Sequence, residues 1–403
     1  MKFDFPPEYR LVPAEFIAAR VAGLAQACRE AGAAALLLTA ATDVYYASGS
    51  MQQGAVLVTA DGEAVFHARR HPGRAAAESG LPVEPISGLS QVAQAVERVA
   101  PAGARVGLCL DLMSAREYLG WRGRLPGLEL TDLTKAVLAV KGVKDAFEIE
   151  AVKRCGALAA EVYAMLPQWI RPGVSEAAVA AEMLAMAVRR GHMDLLRTRG
   201  AYMETYSWHL VSGPEGSTPS AIDAPFGGIG FSPAFPQGAS LKPLRPHEPI
   251  LVDFGVCLEG YQTDQTRTYC LGEAPGQVRR AHAALEAVEA ALLDALRPGA
   301  VSGELFDLAV GVAEAHGMGD VFLGRPEQRI KFVGHGLGLE LGAPPYLLKG
   351  SPARVRAHEV YALELKIVLD VGPVGLENTV IVNPDGPPTL VCPLPSRLLE
   401  LPL

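Results

Sequence analysis

No two cysteines in the 403-residue chain have C-x-x-C spacing, and the six present (Cys28, Cys109, Cys155, Cys257, Cys270, Cys392) are scattered. That disfavours a zinc knuckle or a disulfide frame and predicts free thiols in a reducing compartment. No basic run offsets the net charge of -8, which argues against a general nucleic-acid binder. The first ten residues, MKFDFPPEYR, lack the apolar core of a signal peptide, and the longest apolar run, around 33–41, is too short to span a bilayer. A cytoplasmic protein without membrane contact is therefore expected. No repeat of solenoid spacing is found. The Gly228-Ile229-Gly230 run lacks a third glycine in register and a strand leading straight into a helix, so it is not a dinucleotide fingerprint.

What is present is a globular composition, 49% apolar and 20% charged, in a chain too long for one ordinary core. The pattern before residue 139 reads as a small α/β domain. A helix is expected over 14–31 with Gly32 as its stop, then a strand at 35–39. A hairpin follows around Asp61-Gly62, then a helix over 89–99 and strands at 105–110 and 128–133. His67 and His71, flanking Arg69 and Arg70, read as solvated surface. Charge and glycine interrupt the pattern at 139–145, AVKGVKD, which divides the chain into domains 1–142 and 143–403. Helices are expected over 146–170 and 175–190 in the second domain, and later over 277–296 and 302–316. The Gly-, Pro- and Ser-rich stretch 213–238 reads as an ordered loop lining a site.

The stretch 249–271 places Asp253 and Asp264 eleven residues apart in a β-hairpin. A turn centred on Leu258-Glu259 would set them opposite each other, with Cβ atoms roughly 5 Å apart. Like charges so placed call for a shared proton or a bound cation, unless the hairpin is an edge whose acids face water. A second apolar hairpin, 360–382, with Gly372-Pro373 read as its turn residues, carries Glu364 and Glu377. Centred on Asp370-Val371, it would oppose these two glutamates. His335 stands between two glycines after a β-prone run, either as a ligand or as a structural imidazole. Four carboxylates and one imidazole suit manganese, iron, cobalt or zinc, with enough charge for two divalent ions roughly 3.5 to 4 Å apart.

In order and spacing, Asp253 in VDFG, Asp264 in GYQTDQTRT, His335 in GHGLGLE, Glu364 in LELK and Glu377 in GLENTV resemble the five-ligand signature of the pita-bread metallopeptidases. That group includes prolidase, Xaa-Pro aminopeptidase, methionine aminopeptidase and creatinase. The resemblance covers nearly the whole chain and points to the creatinase and prolidase branch. It implies an α/β (α+β) protein, a small creatinase-like domain followed by a pita-bread catalytic domain, acting as a homodimer. It also implies two divalent metal ions, with Asp253 on one, His335 and Glu364 on the other, and Asp264 and Glu377 bridging. Thr266 and Arg267 would support Asp264 from behind.

The chain departs from that pattern at the substrate positions. Ser220 and Gly342 stand where these peptidases carry histidines, Gly375 where an arginine is common, and Leu365 and Lys366 where proline and glycine follow the glutamate. On a strand Lys366 would share a face with Glu364, where it could neutralise acid, donate a proton or bind an acidic substrate, or else snorkel to the pocket rim. Arg199, Glu204 and His209 are candidate replacement substrate groups, with His209 alternatively a packed neighbour of Trp208.

The function expected is a two-metal hydrolase acting on an amide bond of a short peptide or small molecule, with a metal-bound hydroxide as nucleophile and Glu364 assisting proton transfer. The alternatives are a relative that acts on another small-molecule bond, as creatinase does, and a metal-free pseudoenzyme serving as a binding module.

Overall fold

The computed structural model describes residues 3–200, 208–220 and 224–403. The backbone forms two compact units, Met1–Phe147 with Arg199–Ala201, and Glu148–Thr198 with Tyr202–Leu403.

The first unit is a six-stranded sheet: β1 (Ala33–Leu38), β2 (Gly54–Thr59), β3 (Ala64–Ala68), β4 (Val83–Pro85), β5 (Arg105–Leu108) and β6 (Glu129–Asp132), in the order β4-β3-β2-β1-β5-β6. The helix Ala14–Glu30 buries Ile17, Val21, Leu24 and Ala25, the residues whose helical spacing marks its apolar stripe. Gly32 follows it at φ +65°. Helix Leu89–Val99 packs Val92, Ala93 and Val96 against Leu37, Leu57, Val106 and Leu108 of the sheet. The Asp61-Gly62 turn joins β2 to β3, with Gly62 at φ +95°. His67 corrects the expectation of a solvated cluster. It sits on β3 at 2% exposure, and burial holds its imidazole below the usual range.

The second unit is organised by a nine-stranded sheet. Its strands are β7 (Trp208–Ser212), β8 (Pro249–Phe254), β11 (Thr266–Leu271), β12 (Phe332–Gly336), β13 (Ala343–Leu348), β14 (Val360–Leu369), β15 (Gly372–Ile381), β16 (Thr389–Leu390) and β17 (Leu399–Leu401). Between β8 and β11 lies a separate ribbon of β9 (Val256–Leu258) and β10 (Tyr261–Thr263). The main order is β13-β12-β14-β15-β11-β8-β7, with β16 on β15 and β17 on β11.

Strand periodicity decides which side chains face the helices. Leu363, Leu365 and Ile367 of β14 and Val374, Leu376 and Val380 of β15 join one apolar cluster with helices Gly276–Ala295 and Ser302–Ala315. Ile250, Val252 and Phe254 of β8 join another with helices Ala146–Trp169 and Glu176–Arg189. The intervening residues Asp253, Glu364, Lys366 and Glu377 are thereby turned to the opposite face.

Candidate metal centre

The two acidic hairpins differ in register. In β14–β15, Glu364 pairs with Glu377 about the turn Asp370-Val371, while Gly372 and Pro373 are already strand residues paired with Leu369 and Val368. In the earlier hairpin Leu258 pairs with Tyr261, so the turn is Glu259-Gly260 and Asp253 pairs with Thr266. Both turn residues take positive φ, +55° and +84°, the requirement of a type I′ turn. The shift relative to the expected turn is two residues along the partner strand. An even shift keeps Asp264 on the face of Asp253 but diagonal to it.

Two groups of ligand atoms result: Asp264, His335 and Glu377, and Asp253, Glu364 and Glu377. In the first, His335 Nε2 lies 3.9 Å from Asp264 Oδ2, 3.9 Å from Glu377 Oε1 and 4.0 Å from Glu364 Oε2. These gaps are too long for hydrogen bonds, yet two ligand bonds of about 2.1 Å each can bridge them. The His335 Nδ1–H donates to the Gly336 carbonyl at 3.2 Å, which leaves the Nε2 lone pair facing the acids. Glu377 is fully buried and its Oε1 has no hydrogen-bond partner. An orphaned carboxylate oxygen opposite a lone pair is the donor set of a divalent cation, so this group fits one.

The second group is filled differently. Lys366 Nζ lies 2.7 Å from Glu377 Oε2, 3.2 Å from Asp253 Oδ2 and 3.3 Å from Glu364 Oε1, and also donates to Thr266 Oγ1. Its side chain is 1% exposed, so it does not reach a pocket rim. Gly375, its partner across the strands, provides the room. A Cβ there would stand 2.9 Å from Lys366 Cδ, 2.7 Å from Leu251 Cδ1 and 2.8 Å from Thr266 Cγ2.

The charges set the protonation. Burial, reinforced by Glu377, Asp253 and Glu364, pushes the Asp264 carboxyl well above the usual carboxylate range. Burial and then Glu364 do the same to Glu377. Burial also works against ionisation of Asp253, but Lys366 and then His209 outweigh it and hold that carboxyl low. For Lys366, burial favours the neutral amine, and Asp253, Glu364 and Glu377 overcome it to keep the ammonium.

Outer contacts hold these groups. Thr266 Oγ1 donates to Glu377 Oε2 at 2.8 Å. Thr379, which sequence reasoning missed, accepts from the Asp264 N–H and donates to the Asp264 carbonyl, each at 2.9 Å. Its position two residues after Glu377 on one strand, and so on the same face, was the available signal. Arg267 is a correction. It follows Thr266, so it points to the other face, where its guanidinium donates to the carbonyls of Thr266, Glu377 and Pro395 and to Asn378 Oδ1. It fixes β15 from the helix side and does not touch the Asp264 carboxylate through these bonds.

The remaining candidates separate. His209 pairs across strands with Asp253, its Nε2–H donates to the Gly227 carbonyl at 3.1 Å, and its ring lies 5.8 Å from that of Phe226. Burial lowers its pKa against the pull of Asp253. Ser220 donates to the Pro236 carbonyl and lines a cavity of about 290 Å³ with Glu327, Gln328 and Arg329, a lining that includes none of the five candidate ligands. Arg199, expected as a substrate group, is engaged in ion pairs. Within the first unit its fork engages Asp43 at 3.0 and 3.1 Å and Asp111, and its side chain is 4% exposed. Lys141 pairs with the same Asp43 at 2.7 Å, making a buried ion-pair cluster. Glu204 lies outside the described residues. Gly342 has φ +66° and nothing within 4 Å of where its Cβ would be.

A mixed sheet carrying four carboxylates and an imidazole on one face and helices on the other, preceded by a creatinase-like α/β unit, defines a hydrolase of the pita-bread class. The chain belongs to metallopeptidase family M24, whose model matches residues 150–384, while residues 20–141 match the creatinase/prolidase N-terminal domain. That family depends on divalent metal. The chain is 29% identical over 404 residues to the probable dipeptidase PepE of Mycobacterium tuberculosis, covering 94% of this chain and 95% of that protein. Among solved structures, dipeptidase PepE from Mycobacterium ulcerans superposes with a TM-score of 0.80 at 26% identity, covering 98% of this chain and all of that one. An Xaa-Pro dipeptidase from Bacillus anthracis shares the fold with a TM-score of 0.81 at 21% identity, covering 96% and 100%. Among the described residues no helix is long and apolar enough to cross a membrane.

Proposed function

We propose that the chain is a metal-dependent hydrolase of the Xaa-Pro aminopeptidase and prolidase type, cleaving an amide or related C–N bond in a short peptide or small molecule. The observation that carries the reading is the 3.9 Å gap between His335 Nε2 and the unpartnered Glu377 Oε1, flanked by Asp264 Oδ2. A divalent cation (manganese, cobalt, zinc or iron) held there by Asp264, His335 and Glu377 would polarise a carbonyl oxygen and lower the pKa of water.

The chain's own residues supply orientation and proton transfer. Gly336 fixes the His335 tautomer, and Thr379 clamps the Asp264 backbone. Glu364 keeps 12% of its side chain exposed whereas Glu377 keeps none, so of this cross-strand pair Glu364 is the carboxyl that can exchange a proton with an incoming substrate. His209, beside Asp253, is the candidate substrate contact that lies nearest the acids in the strand register. The reading includes a cytoplasmic location, supported by six cysteines that are all unpaired and buried, and a homodimer, which rests on the family resemblance.

A second reading, a relative specialised for a non-peptide bond, is favoured by the open space at Gly342 and the crowding at Gly375. With neither histidine nor arginine at these places, two groups that these peptidases commonly carry are missing. Loss of even one donor to a developing oxyanion typically costs about a hundredfold or more.

The test is a hydrolysis screen of manganese- or cobalt-loaded protein, with Xaa-Pro dipeptides and tripeptides in one arm and small-molecule amides and amidines in the other. Turnover of either set, abolished in His335→Ala, is expected. Turnover confined to the second set selects the non-peptidase relative. Inactivity of the metal-loaded protein on every C–N substrate, or a preparation that takes up no transition metal, turns the reading to a pseudoenzyme.

A further inference from the structure

We propose that the Lys366 ammonium stands in place of the second divalent cation, so that each chain binds one metal ion, between Asp264, His335 and Glu377, and not two. The inference rests on the metal-dependent reading above and deepens it.

The ligand atoms of Asp253, Glu364 and Glu377 form a compact group of the kind a cation would hold, and Nζ already stands within 3.3 Å of an oxygen of each. Thr266 Oγ1 takes a further contact, so the directional demands of the ammonium's three protons are met by four acceptors on four strands. A cation entering this group would have to share its oxygens with that ammonium. Like charges at such a separation repel, and the lysine would have to leave first.

The lysine stem is closely packed and buried. Its stem occupies the space over Gly375, between Leu251 and Thr266, where a Cβ would find three side-chain atoms inside 3.0 Å. Lys366 and Gly375 are thus a matched pair across β14 and β15, the glycine leaving the groove that the stem fills. The two halves of the centre are also distinguished by their polar groups. Glu377 Oε2 is engaged by Lys366 and Thr266, while its Oε1, on the His335 side, has no partner. One glutamate therefore presents a satisfied oxygen to the lysine and an unsatisfied one to Asp264 and His335.

The experiment is manganese stoichiometry on the full chain, by equilibrium dialysis and elemental analysis, for the native protein and for Lys366→Ala. The native chain is expected to hold one manganese ion and the variant two. Electron paramagnetic resonance of the manganese-loaded native chain, which does not depend on the variant folding, is expected to give the signal of an isolated ion. A native chain that binds two ions, or shows an exchange-coupled pair, overturns the proposal, as does a variant that gains no ion. A native chain that binds none while the variant gains one supports the lysine's role and overturns the metal-dependent function. If neither binds any ion, both fall.

Discussion

Lys366 and Glu377 meet through a 2.7 Å ammonium–carboxylate contact between side chains that are 1% and 0% exposed. The pair lies at the centre of the acidic face, and Lys366 is the cation that the structure itself supplies to three of the four carboxylates.

Replacing Lys366 with Met keeps the stem and removes the charge, which leaves Asp253, Glu364 and Glu377 without their internal counter-ion. Breaking a buried pair from one side costs about 3–5 kcal/mol. Urea unfolding of Lys366→Met in the presence of a chelator is expected to show a loss of that size, partly restored by manganese. A loss under about 1 kcal/mol would mean that the carboxylates shed their charge by protonation.

Thr379→Val removes the hydroxyl that joins both backbone groups of Asp264 while keeping the side-chain shape. Outer-shell losses of this kind weaken metal binding about 10- to 100-fold. Isothermal titration with manganese measures it, and an affinity equal to that of the native chain would refute the clamp.

Gly375→Ala places a methyl group within 3.0 Å of Leu251, Thr266 and Lys366 atoms. Overpacking a closed site costs about 1–3 kcal/mol. If the Lys366 stem is the atom group that must yield, the loss shrinks in the double variant with Lys366→Ala, a coupling of about 0.5–3 kcal/mol by a double-mutant cycle. Strict additivity would sink the matched-pair account.

Acid sensitivity is expected from His282, buried on helix Gly276–Ala295. Burial, and then the nearby Arg267 guanidinium, lowers its pKa from 6.5 to about 4. On acidification the unfolded chain binds this proton first, so stability falls as pH drops from about 6.5 to about 4 and is whole above that window. The difference is worth roughly 3 kcal/mol at the acid end. His282→Gln should flatten the slope of unfolding free energy against pH in this range, and an unchanged slope would assign the effect to other groups.

Much of this was legible in the chain because it depends on local periodicity. The alternation of β14 separates Leu363, Leu365 and Ile367 from Glu364 and Lys366 without any knowledge of what lies on either side. The thirteen-residue spacing of Glu364 and Glu377 likewise required only one turn position, and the structure has it. The same rule, applied one residue further, turns Arg267 away from the acids.

The first hairpin was less legible. Its register hangs on whether Glu259 accepts a left-handed backbone, which composition does not decide. Arg199 was harder still. Its partners Asp43 and Asp111 are 156 and 88 residues away, and an arginine beside a glycine looks the same in sequence whether it waits for a substrate or closes an ion pair.

By itself, then, the sequence determined the acidic face: which residues alternate, which strands turn back on each other, and that four carboxylates and an imidazole share a side. Only the tertiary structure decided where the Lys366 ammonium lands. That position depends on β8 and β15 both flanking β11, which brings Asp253 to within 3.2 Å of a lysine 113 residues away. Strand alternation is a property of neighbouring residues. The neutralisation of one buried charge by another belongs to the sheet as a whole.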